Sequence, residues 1–188
     1  MMVSLTAKQK EEKNMSNHKI LIKQLAREIK TNPHLSNIKT TIRKLSVENV
    51  DLNTKIYRGR TLMHYAVKAN SRGFIKTLFA YGVNPAICDD DFNTPLHYAI
   101  IHSKYQAAEE LLKIGADPNS LGEFDQTPLH LAATKGNLDM AILLIENGAD
   151  IYSVDERNQT PLDYAKDENN IEIIYYLEKV KKGEENEI

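Results

Sequence analysis

The chain has 188 residues, 41% of them hydrophobic, with 24 basic side chains against 26 acidic ones and a pI near 6.3. That length and composition suit one soluble globular domain with a sizeable core, and the near-balance of charge removes any global pull toward nucleic acid or an anionic membrane. A single cysteine, Cys88, excludes an internal disulfide and a multi-cysteine metal site, and the polar start from Met1 to Asn14 lacks the apolar centre of a secretory signal. No run of about 18 apolar residues is present to cross a membrane. The expected setting is reducing and cytoplasmic.

In chain order, residues 1–16 read as a flexible amino-terminal segment. The spacing of Ile22, Leu25 and Ile29 predicts a helix from Asn17 to Lys30, and Ile38, Ile42 and Leu45 predict a second from Ser36 to Ser46. From there the chain repeats itself. Thr61, Thr94, Thr127 and Thr160 are evenly spaced and open the tracts Thr-Leu-Met-His-Tyr-Ala, Thr-Pro-Leu-His-Tyr-Ala, Thr-Pro-Leu-His-Leu-Ala and Thr-Pro-Leu-Asp-Tyr-Ala. Ala66, Ala99, Ala132 and Ala165 keep the same register, as do Leu78, Leu111, Leu144 and Leu177, and the glycines Gly82, Gly115 and Gly148. Such a fixed period is the signature of a repeat architecture.

Each column has a mechanical reason. Threonine caps a helix through its hydroxyl, and proline fits the first helical position, where its missing donor costs nothing. Each tract therefore starts a helix. The alanines are small where a second helix must approach closely, and the leucines form the apolar stripe of that second helix. Asn70, Gly136 and Asn169 sit in the turn between the paired helices, where a positive φ is wanted, with Ser103 the poorer fit. Gly82, Gly115 and Gly148 stop the second helices. The polar stretch to the next threonine suits a projecting hairpin loop.

The period and the tracts Thr94-Pro95-Leu96-His97 and Thr127-Pro128-Leu129-His130, with Gly115-Ala116-Asp117 and Gly148-Ala149-Asp150, resemble ankyrin repeats. The match runs from Thr61 to Lys182. A degenerate copy lies upstream, because Asn49-Val50-Asp51-Leu52-Asn53 falls one full period before the Gly82 loop. The resemblance implies an all-α ankyrin-repeat solenoid of about five stacked helix-turn-helix units. Its single domain would span 17–182, divided as 17–60 (a degenerate amino-terminal cap), 61–93, 94–126, 127–159 and 160–182 (a carboxy-terminal cap), with a polar tail at 183–188. It also implies that the recurrent histidines bond loop backbone, and that the chain is a non-catalytic module whose partner is another protein, with no nucleic acid, no membrane and no cofactor, acting as a monomer.

Catalytic readings fare poorly on the residues themselves. His64, His97 and His130 recur at the period, but equivalent positions of packed helices sit about 10 Å apart, whereas zinc ligands stand about 2 Å from the metal. Asp163 replaces the histidine in the last unit. Asp89-Asp90-Asp91 lacks the ligand spacing and closing glutamate of a calcium loop and reads as a solvated acidic loop. Cys88 has no adjacent base, and no glycine-rich phosphate cradle is present.

A binding surface remains. Repeat solenoids present a concave face, and in ankyrin proteins it is made of loop tips and the exposed positions of the first helices. In this sequence those positions supply Tyr57, Arg58, Arg60, Lys68, Asp90, Asp91, Ile101, His102, Glu123, Phe124 and Lys135, a basic first unit followed by mostly acidic tips. Aromatic, apolar and basic groups together are the mixture that carries interface energy. Leu45, Asp51, Leu52 and Asn53 also resemble the loop motif of the asparaginyl hydroxylase that acts on ankyrin proteins, which makes Asn53 a hydroxylation candidate. Two other readings stay open. One is a purely architectural spacer. The other is a secreted bacterial effector working as an adaptor in a host cytosol, because lysine outnumbers arginine 18 to 6 and the segment Glu178 to Glu187 is similar to translocation signals of intracellular bacteria such as Legionella.

Overall fold

Four threonines begin the repeated helices. The computed structural model describes residues 7–31 and 35–183; residues 1–6, 32–34 and 184–188, which hold part of the expected amino-terminal segment and polar tail, lie outside the described residues. Thr61, Thr94, Thr127 and Thr160 are extended (ψ 164° to 171°) and cap α3 (Leu62–Lys68), α5 (Pro95–Ile101), α7 (Pro128–Thr134) and α9 (Pro161–Asp167). Each threonine hydroxyl faces the third helical residue. The side chain there, His64, His97, His130 or Asp163, accepts the threonine's own backbone N–H at 2.9 to 3.3 Å, which completes a reciprocal cap.

After each first helix the chain reverses through one left-handed residue. Asn70, Ser103, Gly136 and Asn169 have φ of 49° to 66°, and the N–H of the next residue returns to the alanine carbonyl of the helix just ended, as from Lys104 to Ala99 at 2.8 Å. Ser103 takes this conformation although serine gains little from it, because the closed turn dictates it. The second helices follow: α4 (Arg72–Ala80), α6 (Tyr105–Lys113), α8 (Leu138–Glu146) and α10 (Ile171–Lys182). Gly82, Gly115 and Gly148 end the first three with φ of 80° to 90°. In the last unit the period places Lys181 at this position, and α10 runs on until Gly183 (φ 75°) stops it.

The degenerate unit keeps the register. Asn49 stands one period before Gly82, has φ 54°, and is followed by a Val50 N–H donated to the Leu45 carbonyl, the same closure that Val83 makes to Leu78. Its helices are longer than the pattern suggested. Helix α1 (Ala7–Thr31) starts well before Asn17, because Ala7 to Lys13 is a run of strong helix formers with no breaker. Its partner is α2 (Leu35–Val47).

Stacking makes the core. Helix α1 packs on α3, and α3, α5, α7 and α9 pack in succession; α2, α4 and α6 stack alongside, and α8 packs on α10. Ala66, Ala99, Ala132 and Ala165 have no exposed surface, nor do Leu78, Leu111 and Leu144. One apolar cluster runs from Ile22 through all units to Leu177. Among the described residues there is no strand, and no helix is long and apolar enough to cross a membrane.

Candidate functional site

Four loops project from this stack, and all are closed in the same way. The N–H at the base donates to the carbonyl four positions later: Ile56 to Arg60 (2.8 Å), Asp89 to Asn93 (2.9 Å), Gly122 to Gln126 (2.9 Å) and Asp155 to Gln159 (3.1 Å). The last enclosed residue is left-handed in every loop. Gly59, Phe92, Asp125 and Asn158 have φ of 57° to 68°. Glycine and asparagine accept that conformation readily, but it is strained for a bulky side chain such as phenylalanine. Neighbouring tips also bond through backbone, Asp90 N–H to Arg58 carbonyl (3.1 Å) and Glu156 N–H to Phe124 carbonyl (3.2 Å).

The histidines tie each unit to the next. Nε2 of His64, His97 and His130 lies 3.0 to 3.1 Å from the carbonyls of Asn93, Gln126 and Gln159, each in the loop of the following unit. Nδ1 already accepts a threonine N–H, so Nε2 carries the proton and donates it to the carbonyl. Burial lowers the pKa of all three, that of His97 to about 4, and holds the rings neutral. The close seat of the His97 ring also explains Gly122, where a Cβ would stand 2.8 Å from that ring. Asp163 keeps the cap in the last unit and bonds no loop carbonyl among the described residues. Asn119 makes a second link, with its amide on the Gly148 carbonyl (2.9 Å) and its oxygen on the Asp150 N–H (2.8 Å). Asn53 occupies the same position two units earlier and spans to Gly82 and Asn84 in the same way (3.4 and 2.8 Å).

Sequence-predicted surface residues divide into free and engaged groups. Tyr57 and Phe124 are 72% and 52% exposed, and Lys68, Asp90, His102, Glu123 and Lys135 are exposed as well; Ile101 is half-buried. Arg58 and Asp91 are tied to each other at 2.8 Å across adjacent loops. Arg60 is largely covered: its guanidinium lies 4.9 Å over the Tyr98 ring, and its Nε has no hydrogen-bond partner and sits 3.6 Å from Asp89. The expectation of a solvated acidic loop is corrected at Asp89, which is buried because its carboxylate accepts the N–H groups of Asp91 (3.0 Å) and Asn93 (3.1 Å) and so shapes its own turn. Asp155 does the same for Arg157 and Gln159 two units later.

Two features were not drawn from the sequence. Phe92 is 66% exposed at a loop tip, in the column that holds Gly59 in the first unit, and its signal was a large aromatic at a position that favours glycine. Tyr98 is buried between Arg60 and the ring of His102, whose centroid lies 4.2 Å away. The His102 pKa is lowered by burial and then by Lys68, Arg60, Lys104 and Lys135. Lys68, Lys104 and Lys135 have no carboxylate at ion-pair distance among the described residues, unlike Arg58, Arg72, Lys76, Lys113 and Lys166. Among the described residues no three His, Cys, Asp or Glu side chains gather as a metal site would require, and Cys88 is a half-buried free thiol.

Comparison with known families agrees with this geometry. A model described as ankyrin repeats (3 copies) matches residues 25–122, and one described as ankyrin repeats (many copies) matches 111–165. No curated protein matches the chain. With a family model covering more than half of its length on the same register as the capped helix pairs, the chain belongs to the ankyrin-repeat family, whose members are generally protein–protein interaction modules and typically not catalytic.

Proposed function

We propose that this chain is a non-catalytic adaptor that binds a partner protein along the concave face, through Tyr57, Phe92 and Phe124 at the loop tips and Lys68, Ile101, His102 and Lys135 at the ends of the first helices. Glu123 and Asp90 flank these groups, and Arg58 and Asp91 pair with each other across adjacent loops.

One observation carries the reading. Phe92 holds a left-handed conformation (φ 60°) that costs an L-residue about 1–2 kcal/mol, and its ring contributes little to the core because it is 66% exposed. A strained, exposed aromatic has its reason outside the fold. Exposed aromatics flanking it on the neighbouring tips are the residue type that dominates interface energy.

The test is affinity selection from a proteome on the immobilised chain, followed by titration of each recovered protein against Tyr57→Ala, Phe92→Asn and Phe124→Ala. Each substitution is expected to weaken binding by about 1 kcal/mol or more while leaving the helical signal intact. Unchanged affinity for all three, and for Ile101→Arg, would move the site to another face.

A further inference from the structure

We propose that the partner segment seated at the centre of the concave face is acidic, a stretch of aspartate and glutamate side chains lying across Lys68, His102 and Lys135 of three successive units. This deepens the concave-face reading and rests on it.

The charges around His102 come from every side. The loop before α3 contributes Arg60, α3 ends in Lys68, the turn after α5 carries Lys104, and Lys135 caps the end of α7. Tyr98, on the helix that His102 caps, presents its ring to both Arg60 and His102. Asp89 is buried and already committed to Arg60 and to two backbone N–H groups, while the exposed Asp90 and Glu123 flank the cluster at the loop tips. Lys68, Lys104 and Lys135 have no carboxylate partner among the described residues. Elsewhere among the described residues some cations are paired, Arg72 with Glu109, Lys76 with Glu110 and Lys113 with Glu109, and others such as Lys55 and Arg157 are not; this face differs in gathering its unpaired cations around one histidine. Unpaired like charges collected on one face repel each other, and an anionic ligand relieves that repulsion while it gains the attraction of all of them. The row then reverses sign at the last unit, where the equivalent positions are Asp167 and Glu168. An acidic segment is therefore limited to the first three units, and the end of the partner that reaches the fourth is neutral or basic.

His102 makes the interaction proton-linked. Burial and then the surrounding cations disfavour its charged form in the free protein, and carboxylates placed beside it favour that form. The complex then binds protons more strongly than the free chain, so affinity rises as pH falls, about tenfold for each pK unit that His102 gains on binding.

The test selects phage-displayed random dodecapeptides on the full chain at low salt, near pH 6 and near pH 8, and titrates synthetic copies of the recovered peptides. Recovered sequences should carry runs of Asp and Glu. Their affinity should fall about tenfold or more in the double variant Lys68→Glu, Lys135→Glu, and should rise toward pH 6 in the native chain but not in His102→Gln, whose fold is checked by circular dichroism. Neutral or basic peptides, no recovery at either pH, or acidic peptides indifferent to the charge reversal would each overturn the acidic-partner proposal. If neutral peptides still lose affinity in Ile101→Arg, the concave-face reading survives that failure; if no concave substitution affects them, both fall together. An identical pH dependence in His102→Gln would remove the proton linkage.

Discussion

Nε2 of His97 lies 3.0 Å from the carbonyl oxygen of Gln126, so a side chain capping one helix also holds the loop that leads into the next unit. Its proton-accepting nitrogen, Nδ1, faces the Thr94 N–H and hydroxyl at 3.3 and 2.8 Å, so a second proton there would break the bond from the Thr94 N–H.

Acid should therefore weaken the fold in a defined window. The His97 pKa is lowered from 6.5 to about 4, so between those values the unfolded chain binds the proton and the folded chain does not. Stability from this group is complete above about pH 6.5, falls as pH drops toward 4, and is then level, a loss of about 3 kcal/mol. His64 and His130 act in the same direction. Urea midpoints between pH 7.5 and 4 should fall in the native chain, and the slope should flatten in His97→Asn, which caps but does not titrate; parallel slopes would contradict this.

Phe92→Asn should stabilise the protein. Asn158 already fills the equivalent left-handed position of the last loop, and asparagine accepts that conformation at lower cost than phenylalanine. A gain of about 0.5–1 kcal/mol in urea unfolding at unchanged m value is expected. A loss of stability would show that the ring packs for the fold.

Leu111 is fully buried between stacked units, and Leu111→Ala should cost roughly 2–5 kcal/mol. Because units support each other through their interfaces, amide exchange should quicken in α4 and α8 as well as in α6. Exchange confined to α6 would mean that the units unfold independently.

Asn119→Ala removes the amide bridge to Gly148 and Asp150 and should cost about 1 kcal/mol. The Asp150 amide should lose its protection from exchange while the His97 link to Gln126 persists. Protection of Asp150 equal to the native value would assign that amide to another acceptor.

The amino-acid sequence determined the helix pairs, their caps and their order, because those devices are local. The Thr94 hydroxyl finds its partner, His97, within the first helical turn, the Lys104 N–H closes back on the nearby Ala99 carbonyl, and Leu111 faces the core by helical spacing alone. Even the degenerate unit was legible from Asn49, whose left-handed turn needs only its own neighbours. The start of α1 was not, because Ala7 to Lys13 carries helix propensity without an apolar stripe to announce it.

Only the tertiary structure decided which surface charges are free. Arg58 and Asp91 come from equivalent positions of successive loops, and Arg60 and Asp89 likewise belong to different loops; their pairing depends on how far one unit is rotated against the next, and no local spacing encodes that rotation. The same rotation lays Tyr98 between Arg60 and His102 and leaves Lys68 and Lys135 without carboxylates among the described residues. Phe92 was hidden for a simpler reason. Its column holds glycine in the first unit, and the conformation that suits that glycine becomes informative once a phenylalanine is found holding it in solvent.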